Sequence, residues 1–336
     1  MTLRRRIKKT LLGVASLILL PGTGVWSAAQ TGQDALNPAS TLGASLQAAP
    51  LEADRRASLS VAVKGRNYGV AEKILLEEIG RNSEPQPLLT LLGGIFFLDG
   101  KYLDSAIAFK KAEAIAPIDD RSRFALAMAY VTLGKMDWAR PELEKLAQTD
   151  PRNALYPYWL SRLDYDDMHL ASAVANAQKA ITLDPSFMKA YDNLGLYYEA
   201  LGKDDEAIGA YREAIRLNRK RRIRSPWPSM NLGALLLKRG RLDDAGASLK
   251  ESLNEDPRFP KAHFQLGLLL EKQKKLTEAV QELKQAADLD PTFAEPCYAL
   301  GRIYRHLGDE KSAKEAFKLF QQRNQKEKQK NVRRSH

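Results

Sequence analysis

The chain has 336 residues and a net charge of +11. Its single cysteine, Cys297, excludes an intrachain disulfide, and its length admits either two ordinary domains or one elongated repeat array. The basicity is local: residues 1–29, 219–224 and 321–336 each carry +5, leaving about −4 over everything else. Nucleic-acid-binding domains spread Lys and Arg along a face, so nucleic acid is not an expected partner.

In chain order, Arg4, Arg5, Arg6, Lys8 and Lys9 precede the apolar run LLGVASLILL and the small residues Ser27, Ala28 and Ala29. This is the pattern of an export signal over 1–29, cleaved before Gln30, and it predicts a periplasmic or secreted protein. The alternative is an uncleaved membrane anchor, since residues 11–29 carry no charge; Pro21, Gly22, Thr23 and Gly24 dilute that segment's apolarity. Residues 30–51, small, polar and broken by Pro and Gly, predict a flexible linker.

From 52 to 320 the chain resembles itself every 34 residues. Leu92, Leu126, Leu160, Leu194, Leu232, Leu266 and Leu300 mark the register, each followed by a small residue: Gly93, Ala127, Ser161, Gly195, Gly233, Gly267 and Gly301. Another small residue follows thirteen after the leucine, and most copies end in proline (Pro117, Pro151, Pro185, Pro257, Pro291). A worn first copy has Ser58 in the leucine column and is expected to act as a cap. Eight repeats thus start near 52, 86, 120, 154, 188, 226, 260 and 294. Apolar spacing of three to four is helical. Mid-repeat Gly100, Gly134, Gly202, Gly240 and Gly308 suit a left-handed helix stop, and the terminal proline turns the chain. Each repeat is therefore read as a helix–turn–helix hairpin that buries its apolar stripe by stacking on its neighbours.

These columns resemble the tetratricopeptide repeat family over most of the chain. The resemblance implies an all-α fold, an α-solenoid of about eight hairpins forming a right-handed superhelix, whose first helices line a concave groove that holds a peptide or partner segment. It also implies that residues two before and two after the leucine face the groove, together with those five before and five or six after it. By that rule the candidate partner-binding residues are Phe97, Phe124, Met128, Tyr158, Arg162, Tyr165, Trp227, Phe264, Tyr298, Arg302 and Arg305, with Asn193, Asn231 and Gln265, each just before the leucine, placed to hydrogen-bond a peptide backbone. Aromatics and Arg are favoured at binding hot spots.

No phosphate loop, nucleophile elbow or metal-spaced histidine pair occurs, so no catalysis, cofactor or metal is expected. The acidic DYDDMH stretch, 164–169, reads as a solvated turn rather than a cation loop. The expected role is a non-enzymatic scaffold for a protein or peptide. The alternative is an adaptor on an anionic polymer or lipid headgroups of the envelope or membrane surface, through the basic tail and joint.

The tail 321–336 is expected to continue the last helix briefly and then fray. Phe317, Leu319 and Phe320 give that end an apolar surface that would pack on itself or on a partner. Between Leu194 and Leu232 the spacing is 38, not 34. The insertion carries Arg219, Lys220, Arg221, Arg222 and Arg224. With no proline stop, the preceding helix is expected to run one extra turn and present these as a cationic knob beside Trp227.

Overall fold

The structure, a computed structural model, describes Leu42, residues 45–222 and residues 224–335, with side chains as far as 326. The expected export signal lies outside the described residues, and none of the described helices is long and apolar enough to cross a membrane. After a helical turn at 45–48 come sixteen helices. They are α1 (Ala53–Lys64), α2 (Tyr68–Ile79), α3 (Gln86–Leu98), α4 (Tyr102–Ile115), α5 (Asp120–Thr132), α6 (Met136–Thr149), α7 (Leu155–Asp166), α8 (Leu170–Leu183), α9 (Met188–Ala200), α10 (Asp204–Asn218), α11 (Trp227–Lys238), α12 (Leu242–Glu255), α13 (Pro260–Lys272), α14 (Leu276–Leu289), α15 (Glu295–His306) and α16 (Glu310–Ser335). The first helices of the repeats begin at Ala53, Gln86, Asp120, Leu155, Met188, Trp227, Pro260 and Glu295.

Two compact units divide the chain, Met1–Met168 and His169–His336. The first stacks the hairpins α1/α2, α3/α4 and α5/α6 and ends with α7. The second opens with α8 and stacks α9/α10, α11/α12, α13/α14 and α15/α16. Within each unit the first helices form their own layer, α3 against α5 in one and α9, α11, α13 and α15 in succession in the other. Each unit is an α-solenoid, as the spacing predicts.

Local chemistry explains the turns. The five mid-repeat glycines have φ of 71° to 77°. At Gly100 its N–H reaches the Phe97 carbonyl (3.2 Å) and the Lys101 N–H reaches that of Phe96 (2.9 Å), a Schellman stop. Arg66, Met168 and Lys274 occupy the same place with φ of 56° to 64°. At repeat ends an aspartate does what proline alone cannot: Asp184, Asp256 and Asp290 each accept the backbone N–H two residues on, at 2.8–2.9 Å.

The hairpins close where the small column meets a large side chain sixteen residues later. A Cβ added to Gly195 would lie 2.5 Å from the Tyr211 ring; Gly93, Gly233, Gly267 and Gly301 face Phe109, Leu249, Leu283 and Phe317 in the same way. Between α13 and α14, buried His263 sets Nδ1 2.6 Å from a Glu282 carboxylate oxygen and Nε2 3.0 Å from the Pro257 carbonyl. Both partners are acceptors, which favours the doubly protonated ring. Burial alone would lower its pKa, but the two hydrogen bonds outweigh it and raise it.

Three expectations are corrected. The linker is not free up to residue 51: Leu42, Leu46, Ala49 and Leu51 are buried against α1–α4. The tail does not fray after 320, since α16 continues to Ser335. It has no Gly or Pro to stop it, and Arg323 donates to the Ala287 and Phe293 carbonyls (3.1 and 3.0 Å), fastening α16 beyond the end of α14. Finally, α10 does not gain a turn. It ends at Asn218, which stands in the aspartate column and spans the insertion, donating to the Ser225 carbonyl and accepting the Ser225 N–H, both at 2.8 Å.

The close approach at Gly195 makes a direct prediction. Gly195→Leu should lower the stability of the second unit by about 1–3 kcal/mol through overpacking, read as an earlier denaturation midpoint, while Gly209→Leu, where added atoms meet open space, should shift it far less.

Candidate partner-binding cleft

In the second unit, α11, α13 and α15 line an open cleft of about 600 Å³. Its floor is Ala234, Leu237 and Leu268; its rim carries Lys238, Lys272, Lys274 and Arg302, with Gln265 and a single acid, Glu271. The repeat produces this arrangement. Lys238 and Lys272 both stand six after their register leucines, and Ala234, Leu268 and Arg302 two after theirs.

Several of the cations are held in place. Lys272 Nζ donates to the Leu237 carbonyl (3.0 Å) at the end of α11. Arg302 pairs with Glu271 at 2.6 Å and Lys238 with Glu199 at 3.3 Å. Two acids thus partly offset the rim, and the cleft stays cationic over an apolar floor.

The structure separates the predicted groove residues. Phe97, Phe124, Met128 and Tyr158 are buried, not displayed. The first three fill one core with Phe109, Leu126 and Tyr156, because adjacent first helices approach closely enough to swallow side chains of the two-before, two-after and five-after columns. Tyr158 meets Trp159 edge-on at 5.7 Å, and Arg162 lies 4.5 Å over the same indole; Tyr165 is half-buried. Asn231 is also buried and donates to Asp192 at 2.9 Å, so it does not await a peptide, while Asn193 is half-buried.

Trp227 remains exposed, set edge-on to Phe259 at 4.9 Å, and Phe264 sits likewise on Phe293 at 5.1 Å. Lys261 bridges the two pairs, 5.9 Å from the Trp227 ring and 5.0 Å from the Phe293 ring. Tyr298 faces α16 instead, against Phe317 (5.8 Å) and Phe320 (5.3 Å), so Phe320 already has a partner within the chain. Arg305 lies over Phe317 at 4.8 Å. Of the residues singled out by name from the inward-facing columns, only Arg302 lines the cleft, joined by Gln265 from just before its leucine. The column rule also covers Ala234 and Leu268, two after their leucines, and Lys238 and Lys272, six after; Lys274 lies outside it.

The basic joint is largely tied down. Arg219 makes a bidentate pair with Glu251 (2.8 and 3.0 Å), and Arg224 approaches Glu255 at 3.5 Å. Arg221 is half-buried and its pKa is lowered by desolvation. Lys220 and Arg222 are exposed, so the knob is smaller than its sequence implies. In the 164–169 stretch, Arg140 pairs with Asp164 (2.8 Å) and Asp167 (3.0 Å) and supplies the positive charge there.

Asp192, on α9, is held high by burial, against the Asn231 hydrogen bond, and titrates at about 7. An unfolded Asp titrates near about 3.9, so the native state binds the extra proton between those values and stability falls as pH rises from about 4 to 7. Asp192→Asn should flatten that slope and raise the melting temperature at pH 8, with little gain at pH 4. Melting curves across that range provide the check.

Comparison with known proteins follows the same lines. Four family models, each described as a tetratricopeptide repeat, match residues 120–153, 188–221, 230–292 and 270–334, together just over half of the chain. The TPR repeat-containing protein YpiA of Bacillus subtilis (strain 168) is 27% identical over 180 residues, covering 51% of this chain; the chain thus matches only 40% of that relative's length. Among solved structures, a tetratricopeptide repeat protein from Parabacteroides merdae superposes with a TM-score of 0.61 at 17% identity, over 83% of this chain and all of that one. PilW, described as a type IV pilus biogenesis factor, gives 0.54 at 21%, over 60% and 91%. Pseudomonas aeruginosa pilF gives 0.52 at 21%, over 65% and 96%. At these identities the structures speak for the fold alone.

Proposed function

Given that the chain belongs to the tetratricopeptide repeat family, we propose that it is an exported, non-enzymatic scaffold that holds an acidic partner segment in the α11/α13/α15 cleft. The observation that carries this reading is the pairing of an apolar floor with a rim of four cations and one acid. Apolar contact supplies affinity, and the fixed cations select glutamate- or aspartate-bearing segments and reject basic ones.

The envelope alternative would rest on the basic joint and tail. In the joint, Arg219 and Arg224 already face carboxylates, which leaves less charge for an anionic surface. A fluorescein-labelled peptide of alternating leucine and glutamate separates the two. Lys238→Glu with Lys272→Glu should weaken its binding by about tenfold or more, roughly 1.4 kcal/mol, whereas Arg221→Glu with Arg222→Glu should leave it nearly unchanged. The reverse ranking would move the site to the joint.

Export is carried by the n-region, apolar core and small-residue pattern of residues 1–29. N-terminal sequencing of the protein recovered from the producing cell should begin at or near Gln30. An intact Met1 would mean an anchored scaffold instead.

A further inference from the structure

In the first unit, the chain's own residues lie where a ligand would. Leu42 is 5% exposed and Leu46 6%, and Thr90 and Gly94, which border Leu42, belong to the inner-face columns. A Cβ built on Gly94, two after the register leucine of α3, would come 2.7 Å from Leu42 Cδ1 and within 4 Å of no other described atom outside its own helix. The equivalent positions elsewhere carry Met128, Arg162, Leu196, Ala234, Leu268 and Arg302; Gly94 alone leaves a seat for an incoming side chain.

The remaining contacts read main chain. Arg56, two before Ser58, donates to the carbonyls of Ala49 (3.1 Å) and Leu51 (2.9 Å), and Asn82 donates to that of Pro50 (3.2 Å). A helical turn with leucines four apart on one side, and a bend after it whose carbonyls are gripped by side chains of the array, is how a short helical peptide is held. A half-open pocket of about 20 Å³ borders the seat, lined by Leu42, Ser45, Thr90, Gly94 and the start of α5 at Arg121 and Ser122.

We infer that the inner face of α1 and α3 is a second peptide-binding site and that Leu42 with residues 45–51 is its ligand in cis. A partner segment must displace this ligand by presenting the same pattern, two leucines four residues apart followed by a bend that presents its carbonyls. Because the cis segment is tethered one residue before α1, its effective concentration is of millimolar order, so the site is closed to weak competitors. This inference does not depend on the cationic cleft of the second unit.

Two full-length variants test it. Gly94→Leu, which places there the residue found at the equivalent positions 196 and 268, fills the Leu42 seat while improving helix propensity in α3. Amides of residues 45–51 should then exchange about tenfold faster or more, with those of α1–α6 unchanged. Leu42→Asp with Leu46→Asp empties the seat. That variant should bind a fluorescein-labelled peptide of the sequence of residues 38–52 at least about tenfold more tightly than the wild type, while Gly94→Leu should not bind it. If Gly94→Leu speeds exchange in α1–α6 together with 45–51, the segment is part of the repeat core and the inference fails. It fails equally if 45–51 stay protected, or if the double variant keeps a protected array yet binds no peptide.

Discussion

The architecture depends on one steric constraint: the two helices of each hairpin must approach until a side chain of the second sits on the backbone of the first. Gly93, Gly195, Gly233, Gly267 and Gly301 permit this, and Phe109, Tyr211, Leu249, Leu283 and Phe317 use it. The sixteen-residue offset between hole and knob sets how far each second helix slides along its partner. That offset, with the left-handed glycine between the helices, fixes which side chains are left over for the inner layer. A cleft at α11, α13 and α15 exists because equivalent positions of three consecutive hairpins are presented in step.

The register was legible because it is carried by residues that tolerate little substitution: a leucine, a small neighbour, a turn glycine. The site was less legible because facing inward and facing solvent are different properties. Phe124 and Met128 stand in inward columns, yet they are consumed by contact between adjacent first helices, and large apolar side chains are the ones most readily consumed. Long cationic side chains at the same layer keep their heads in water and stay available. Lys238 and Lys272 therefore line the cleft from the six-after column, which the register places on the inner face. The columns were legible, and what the register could not supply was which of their members stay in water.

The two misread connections share a cause. Residues 30–51 are small and polar enough to suggest a spacer, but Leu42, Leu46 and Leu51 are apolar, and those three are buried. In 219–224 the run of charge drew attention away from Asn218, whose place in the aspartate column foretold a side-chain-closed turn. One Asn holding both backbone groups of Ser225 closes a six-residue loop that helix extension would have left open. Glu251 and Glu255, one helical turn apart on α12, then meet Arg219 and Arg224. Net charge along a sequence is a poor guide to the field of a solenoid, because the next repeat supplies the counter-charges.

Compared by chemistry, the two inner faces differ in what they ask of a ligand. The first is apolar, seated by a glycine and read through main-chain carbonyls, and it already holds a segment of this chain. The second is floored by aliphatic side chains and rimmed by cations whose acidic neighbours satisfy only part of them. A tethered occupant raises the threshold for one face without touching the other, since occupancy in cis changes apparent affinity only where the segment sits. An array built from copies of a single hairpin can in this way carry two selectivities, one set by the small residue two after the register leucine and the other by the lysine six after it.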